Sequence, residues 1–238
     1  MENMASFPLL SLIVWLPTLG ALLLLFFKDE ERIKIVALTT ALADFLISLF
    51  LLVYWVNNGS MQFQEYFAWV PQLNINYHLG VDGISLFLVL LTTLLGPLVV
   101  LFSWRNIKDN LKSFLFLLLV QQTGMLGVFL SLDLVLFFVF WEFTLIPMYF
   151  LIGRWGGKNR VYAAVKFFLY TMAGSALMMV VILLLYWHSG SFDWMELQKA
   201  PMNLHFQIWA FVAFALAFAI KIPLFPFHTW LPLSLIHI

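Results

Sequence analysis

The chain has 238 residues, of which 63% are apolar and only 10% charged, with 12 basic and 12 acidic side chains. A soluble domain is nearer half apolar and a quarter charged, so this composition sets a soluble fold aside, and a net charge of zero leaves no bulk pull toward nucleic acid. With no cysteine there are no disulfides, thiolate metal sites or iron–sulfur ligands in the chain, and the five histidines show no metal-ligand spacing.

In chain order, the first stretch, MENMASFPLLSLIVWLPTLGALLLLFF, has neither a basic leader region nor a small-residue cleavage site. It reads as a retained helix and not as a signal peptide. Apolar runs then predict seven spans: Pro8–Phe27, Ile35–Val56, Gly83–Trp104, Ser113–Leu130, Leu134–Ile152, Ala163–Trp187 and Phe206–Leu224. Each has roughly the 20 residues that cross ~30 Å of hydrocarbon. The fold expected is an all-α polytopic membrane protein, with the fourth and fifth spans joined by a tight turn at Ser131, Leu132 and Asp133.

The loops orient the spans. Lys28, Arg32 and Lys34 fall in the first, Arg105, Lys108 and Lys112 in the third, and Arg154, Lys158, Arg160 and Lys166 in or beside the fifth. The second and fourth loops have no Lys or Arg, and the sixth has only Lys199. Basic loops stay cytoplasmic, so the N-terminus is expected outside. Tyr54, Trp55, Trp104, Tyr186 and Trp187 stand near span ends, where interfacial aromatics belong.

Two charges lie within spans. Glu142, in FVFWEFTLIPMYF, is about ten residues, or ~15 Å, from either end of its helix. A charge at that depth costs at least ~2.5–3.5 kcal/mol. The carboxyl can escape part of this by taking up a proton, or by facing the bundle interior. Lys221 stands in FALAFAIKIPLFPFHTWLP, just before Pro223 and Pro226. Those prolines cannot donate to the carbonyls of Ala219 and Ile222, so a broken seventh helix with a hydrated lysine at the break is expected. The structural alternatives are a glutamate serving as packing glue and a lysine snorkelling to the interface. Lys166 opens the sixth helix on a face continued by Tyr170 and Gly174. Asp44 lies mid-helix with no visible partner. Asp133 reads as an N-cap, Gln121, Gln122, Thr123, Gly124 and Gly127 as a small polar packing face, and Pro147 as a kink after Glu142. GRWGGK at 153–158 lacks the spacing, the hydroxyl after lysine and the preceding strand of a phosphate loop.

WEFTLIPMYFLIG, KIPLFPFHTWLP, HLGVDGISLFLVLLTTLLGPLVVLFSW and VKFFLYTMAGSALMM together resemble the subunit M family of NADH–quinone oxidoreductase, the respiratory complex I of bacteria. The resemblance runs from about the second helix to Pro232. It implies a fold of about fourteen helices with two inverted repeats, each containing a broken helix; this chain would be the first half. It implies that Glu142 and Lys221 are the central ion pair of a proton pathway, with Lys166 and His228 as further members. The chain would hold no cofactor. NADH, flavin, iron–sulfur clusters and quinone would sit in partner subunits, and its own partners would be other membrane subunits of complex I, the lipid bilayer and protons, with no nucleic acid. The location implied is the bacterial inner (cytoplasmic) membrane.

On this reading residues 1–111 form a three-helix segment and 112–232 an incomplete first antiporter-like repeat. The tail at 233–238, LSLIHI, departs from the family and is expected to be artefactual, and the chain a fragment of a longer subunit. The activity implied is proton translocation driven by quinone reduction elsewhere, a translocase role with no redox chemistry in this chain. Two alternatives stay open: a subunit of a multi-protein cation/proton antiporter or membrane hydrogenase, and a structural scaffold. The orientation is checked by labelling cysteines from each side of the membrane: Lys108→Cys should react only with reagent on the cytoplasmic side, and labelling from outside would overturn the span count as well.

Overall fold

A computed structural model describes residues 7–231. The expectation for the tail at 233–238 therefore lies outside the described residues. The chain divides into two compact units, Met1–Phe67 with Tyr77–Leu132, and Ala68–Asn76 with Asp133–Ile238.

The first unit is built on four helices: α1 (Leu9–Leu24), α2 (Glu30–Val53), α3 (Gly83–Asn106) and α4 (Leu111–Leu130). α1 packs on α2 and α4, and α2 on α3. Ala21, Leu24, Ala37, Ala41, Val100, Leu115 and Leu119 meet in a buried core. Small residues let the backbones approach: a Cβ on Gly20 would stand 2.2 Å from Thr40 Cγ2. Termini are closed by side chains. Asp82 accepts from the N–H groups of Ile84 and Ser85, and the Ser85 hydroxyl accepts in turn from Asp82 N–H, a capping box that starts α3. Glu65 accepts from the backbone N–H groups of Leu10 and Ser11 and from the Ser11 hydroxyl, capping α1 from a distant part of the chain. Lys112 donates to the carbonyls of Leu25 and Phe27 just past the end of α1.

Glu65 belongs to a feature that the helical reading of the sequence omits. Strands β1 (Gln62–Val70) and β2 (Ile75–Val81) form a two-stranded sheet, turned by a 3-10 segment at Pro71–Leu73 and by Asn74 in the left-handed region at φ 53°. The loop between the second and third spans is thus ordered β structure. The base of the hairpin belongs to the first unit and its tip, Ala68–Asn76, to the second.

The second unit holds α5 (Leu134–Phe143), α6 (Leu145–Trp155), α7 (Arg160–Ser189), the single turn α8 (Trp194–Leu197), α9 (Leu204–Lys221) and a 3-10 turn at Phe227–Trp230. α7 packs on both α6 and α9. It runs 30 residues, longer than the apolar stretch predicts, and ends at Gly190 with φ 76°, a backbone state that glycine adopts without a steric penalty.

All seven expected spans are present. Six are long and apolar enough to cross a membrane, counting α5 and α6 together as Leu134–Trp155, and α1 is a shorter apolar helix of 16 residues. Large apolar side chains remain exposed along α3 and α9, among them Phe87, Leu98, Phe102, Trp209 and Phe211, as a lipid-facing surface requires. This is a polytopic helical membrane protein.

Asp133 caps α5, as its position at the turn predicts: Oδ1 accepts from Val135 N–H at 2.9 Å and Leu136 N–H at 3.1 Å. Its other oxygen accepts from Asn76 N–H at the hairpin tip, 2.9 Å away. Burial pushes this carboxyl above the usual aspartate range, the three N–H bonds pull it back, and Asp193 adds a small repulsion. A raised folded-state value means that the group's contribution to stability is complete below the unfolded value and is lost as pH rises through the folded one. The melting temperature of the native chain minus that of Asp133→Asn should therefore fall as pH rises from acid toward neutral. Asp133→Ala, which removes the cap, should cost about 1–2 kcal/mol.

Candidate proton-handling site

The site forms where two helices of the second unit are interrupted. Pro147 has no N–H for the carbonyl of Phe143, so the helical ladder fails one turn earlier. The break falls at Thr144, where α5 ends and α6 begins. Thr144 stays tied to α5 through its N–H to Phe140 O at 3.2 Å and its hydroxyl to Trp141 O at 2.8 Å. The expected kink is thus present as a junction three residues before the proline.

The second interruption ends α9 at Lys221. Pro223 cannot donate to Ala219 O. That carbonyl is satisfied by the protein, since Leu224 N–H reaches it at 2.8 Å. Ile220 O accepts from the indole N–H of the buried Trp230 at 2.8 Å, which pins the 3-10 turn against the end of α9.

These two breaks bring Lys221 onto the α5–α6 junction. Its ammonium donates to Thr144 Oγ1 at 3.2 Å and lies 5.0 Å from the centre of the Trp141 ring. That ring is itself braced by Phe218, 5.5 Å away. Glu142 stands between Trp141 and Thr144 in sequence and is half-buried, with a buried Oε1 that has no hydrogen-bond partner. Among the described residues no ion pair joins Glu142 to Lys221. A threonine hydroxyl and an aromatic face hold the lysine in place of a direct carboxylate contact.

Lys166 stands near the end of α9 and His228 on the turn that follows it. Lys166 is half-buried and lines an open groove with Tyr162, Tyr170, Ile220 and Phe227. Ile220 and Phe227 are the chain neighbours of Lys221 and His228. His228 sits on the 3-10 turn, its ring 5.6 Å from that of Phe225 and its buried Nδ1 without a partner. The structure therefore gathers Glu142 and Lys221 at one junction and puts Lys166 and His228 beside the same turn. Trp141 and Thr144 escaped the sequence reading. The available signal was their adjacency to Glu142, since a tryptophan face and a threonine hydroxyl are the neutral groups that hold an ammonium in an apolar setting.

The comparisons with known proteins bear on this arrangement. A family model described as "NADH:quinone oxidoreductase/Mrp antiporter, TM" matches residues 131–237. The chain is 42% identical over 237 residues to NAD(P)H-quinone oxidoreductase chain 4 of the Chlorokybus atmophyticus chloroplast, a match covering 96% of the chain and 46% of that relative. It is 42% identical to NADH-quinone oxidoreductase subunit M of Rhodobacter capsulatus, covering 94% of the chain and 47% of the relative. The chain is related to subunit M of NADH-quinone oxidoreductase. A chain in the structure of respiratory complex I from Thermus thermophilus with bound NADH superposes on it with a TM-score of 0.84 at 32% identity, covering 94% of this chain and 46% of that one. The chain spans about half the length of the subunit M and chain 4 relatives it matches.

The position of α9, and with it Lys221, depends on close packing against α7. A Cβ on Gly174 would lie 3.0–3.1 Å from three side-chain atoms of Ile220. Gly174→Leu should push α9 outward and lower stability by about 1–3 kcal/mol. The checks are the melting temperature and the accessibility of a reporter cysteine at Ile220, which should rise in the variant.

Proposed function

We propose that the chain is part of a proton-translocating membrane subunit of NADH-quinone oxidoreductase, with Glu142 and Lys221 at the centre of its pathway. The observation that carries this reading is the Lys221 ammonium held by Thr144 and Trp141 beside Glu142, whose buried Oε1 has no partner, at the meeting of two helix breaks. The names of its relatives support it. Lys166 and His228 are the next members proposed, and the groove around Lys166 is the proposed approach for protons.

A lysine inside an apolar bundle keeps its proton only while something stabilises the positive charge. Glu142 supplies that field when it is ionised and near. If Glu142 becomes protonated or the junction at Thr144 moves, the balance tips toward proton release. Moving one charge against 100 mV takes about 2.3 kcal/mol, so the energy has to arrive from outside. On this proposal quinone reduction in neighbouring membrane subunits supplies it, with NADH, flavin and iron–sulfur clusters in further partners. The chain contributes a translocase function and no electron carrier. Residues 1–111 form the proposed N-terminal segment and 112–232 the proposed first repeat. The proposed setting is the bacterial inner membrane with the N-terminus outside.

A second reading, a subunit of a multi-protein cation/proton antiporter, is favoured by the shared description of the matching family. It would use the same pair without a quinone. Proton uptake per NADH oxidised, in vesicles of the assembled complex, separates the two readings. Glu142→Gln should lower that ratio severalfold, Glu142→Asp should keep part of it, and Lys221→Ala should be at least as damaging as Glu142→Gln. The double variant should be little worse than either single one, as for residues acting together. Wild-type ratios in both single variants would sink the proposal.

A further inference from the structure

The first unit contains an ionisable group for which the proposed pathway has no use. Asp44 is at the middle of α2 and is fully buried, at 0% exposure. Its Oδ2 accepts from Gln122 Nε2 on α4 at 2.7 Å, and its buried Oδ1 has no partner. Gln122 is seated in turn against Gly96 of α3: a Cβ there would lie 2.6 Å from Gln122 Oε1, so only glycine leaves room for the amide. Three helices thus enclose one carboxyl.

Among the described residues, no basic side chain is bonded to Asp44. α1 has no ionisable side chain. The only one on α3 is Arg105, in its last turn, and the only one on α4 is Lys112, in its first. The others on α2 are Glu30, Glu31, Arg32 and Lys34, in its opening turns. Lys34 and Lys112 are each ten residues along their helices from Asp44 and Gln122, about 15 Å of rise. Elsewhere among the described residues of the unit, Lys28 and Asp29 lie between α1 and α2 and Lys108 and Asp109 between α3 and α4, Tyr54 follows the end of α2, Asp82 caps α3, Glu65 caps α1, and Tyr66, Tyr77 and His78 lie on the hairpin. A buried carboxylate without a cation is too costly to persist, and the available neutralising agent is a proton.

Hydroxyls share the face of α2 that carries Asp44. Thr40, Asp44 and Ser48 recur every four residues on one face of α2, all buried. Ser48 Oγ lies 2.8 Å from Thr93 Oγ1 on α3, a pair in which either oxygen can donate. Hydroxyls that can donate or accept are suited to pass a proton.

We propose that Asp44 is a second proton-binding site of the chain, distinct from Glu142 and Lys221: its Oδ1 takes up a proton and releases it again, while Gln122 holds Oδ2. Carboxylate plus proton gives the neutral acid, with no other reactant.

The test is infrared difference spectroscopy of the full chain in lipid vesicles, with Asp44→Asn to identify the band. A protonated-carboxyl C=O band present at neutral pH, lost in Asp44→Asn and replaced by a carboxylate band as pH is raised, is the expected result. In Gln122→Met the amide donor is gone and the same C=O band should move to higher frequency, a change that identifies Asp44 even if Asp44→Asn folds poorly. A hydrophobic carbodiimide should modify the Asp44 peptide at neutral pH and progressively less as pH rises. An ionised Asp44 at neutral pH would overturn the proposal, and so would a protonated band that never titrates, since that carboxyl would be a fixed packing element. Proton uptake through Glu142 and Lys221 is read separately, so the two proposals can fail independently.

Discussion

Inside a bilayer a backbone carbonyl deprived of its helical partner finds no water to replace it. That constraint governs this chain wherever a proline interrupts a span. Pro147 and Pro223 each remove a donor, and other groups of the chain bond to carbonyls around each break. Thr144 bonds back to α5 through both its N–H and its hydroxyl. Leu224 N–H takes the carbonyl of Ala219, and the Trp230 indole takes that of Ile220. The two interruptions leave polar groups at both helix ends, and Lys221 stands where they meet. The same rule explains the rest of the framework: Glu65 closes the start of α1, Asp82 that of α3 and Asp133 that of α5.

How much of this was legible in the sequence depended on the range of the interaction. The seven spans were readable because hydrophobic length is a local property, and the Asp133 cap because it needs only the next three residues. Glu142 and Lys221 stood out because a charge in an apolar run is visible without knowing its neighbours. The partners were not legible. Thr144 meets Lys221 across 77 positions, and Gln122 meets Asp44 across 78. The hairpin was missed for another reason. QFQEYFAWV shows no regular alternation of polar and apolar residues, and between long helices such a stretch reads as a loop. Its structural task, presenting Glu65 to α1 and the backbone of Asn76 to Asp133, involves groups far apart in the chain.

The two polar interiors differ in kind. At the α5–α6 junction an acid and a base share one neighbourhood, with a hydroxyl and an indole around the base. In the first unit an acid stands alone with an amide. An ammonium can be carried by neutral acceptors and aromatic faces, whereas an isolated carboxylate needs donors, and Asp44 has one donor for two oxygens. The first arrangement can hold charge. The second favours a neutral form and, on the proposal made for it, changes charge only by exchanging a proton.

The absence of a direct Glu142–Lys221 contact is consistent with the proposed role. Opposite charges in contact near 4 Å attract by about 4 kcal/mol at an effective dielectric of 20. A pair held so firmly would keep the lysine charged through the whole cycle, and a pathway built on it would stall. A lysine on Thr144 and Trp141 is restrained by weaker contacts, of order 1–2 kcal/mol for the cation–π component and about 1 kcal/mol net for the hydrogen bond. Either can be exchanged for the other, or for Glu142, by a small shift at the Thr144 junction. Such a shift is easiest where the helical ladder is already interrupted, so the break that Pro147 imposes is also the place where a modest movement could change which group holds the proton.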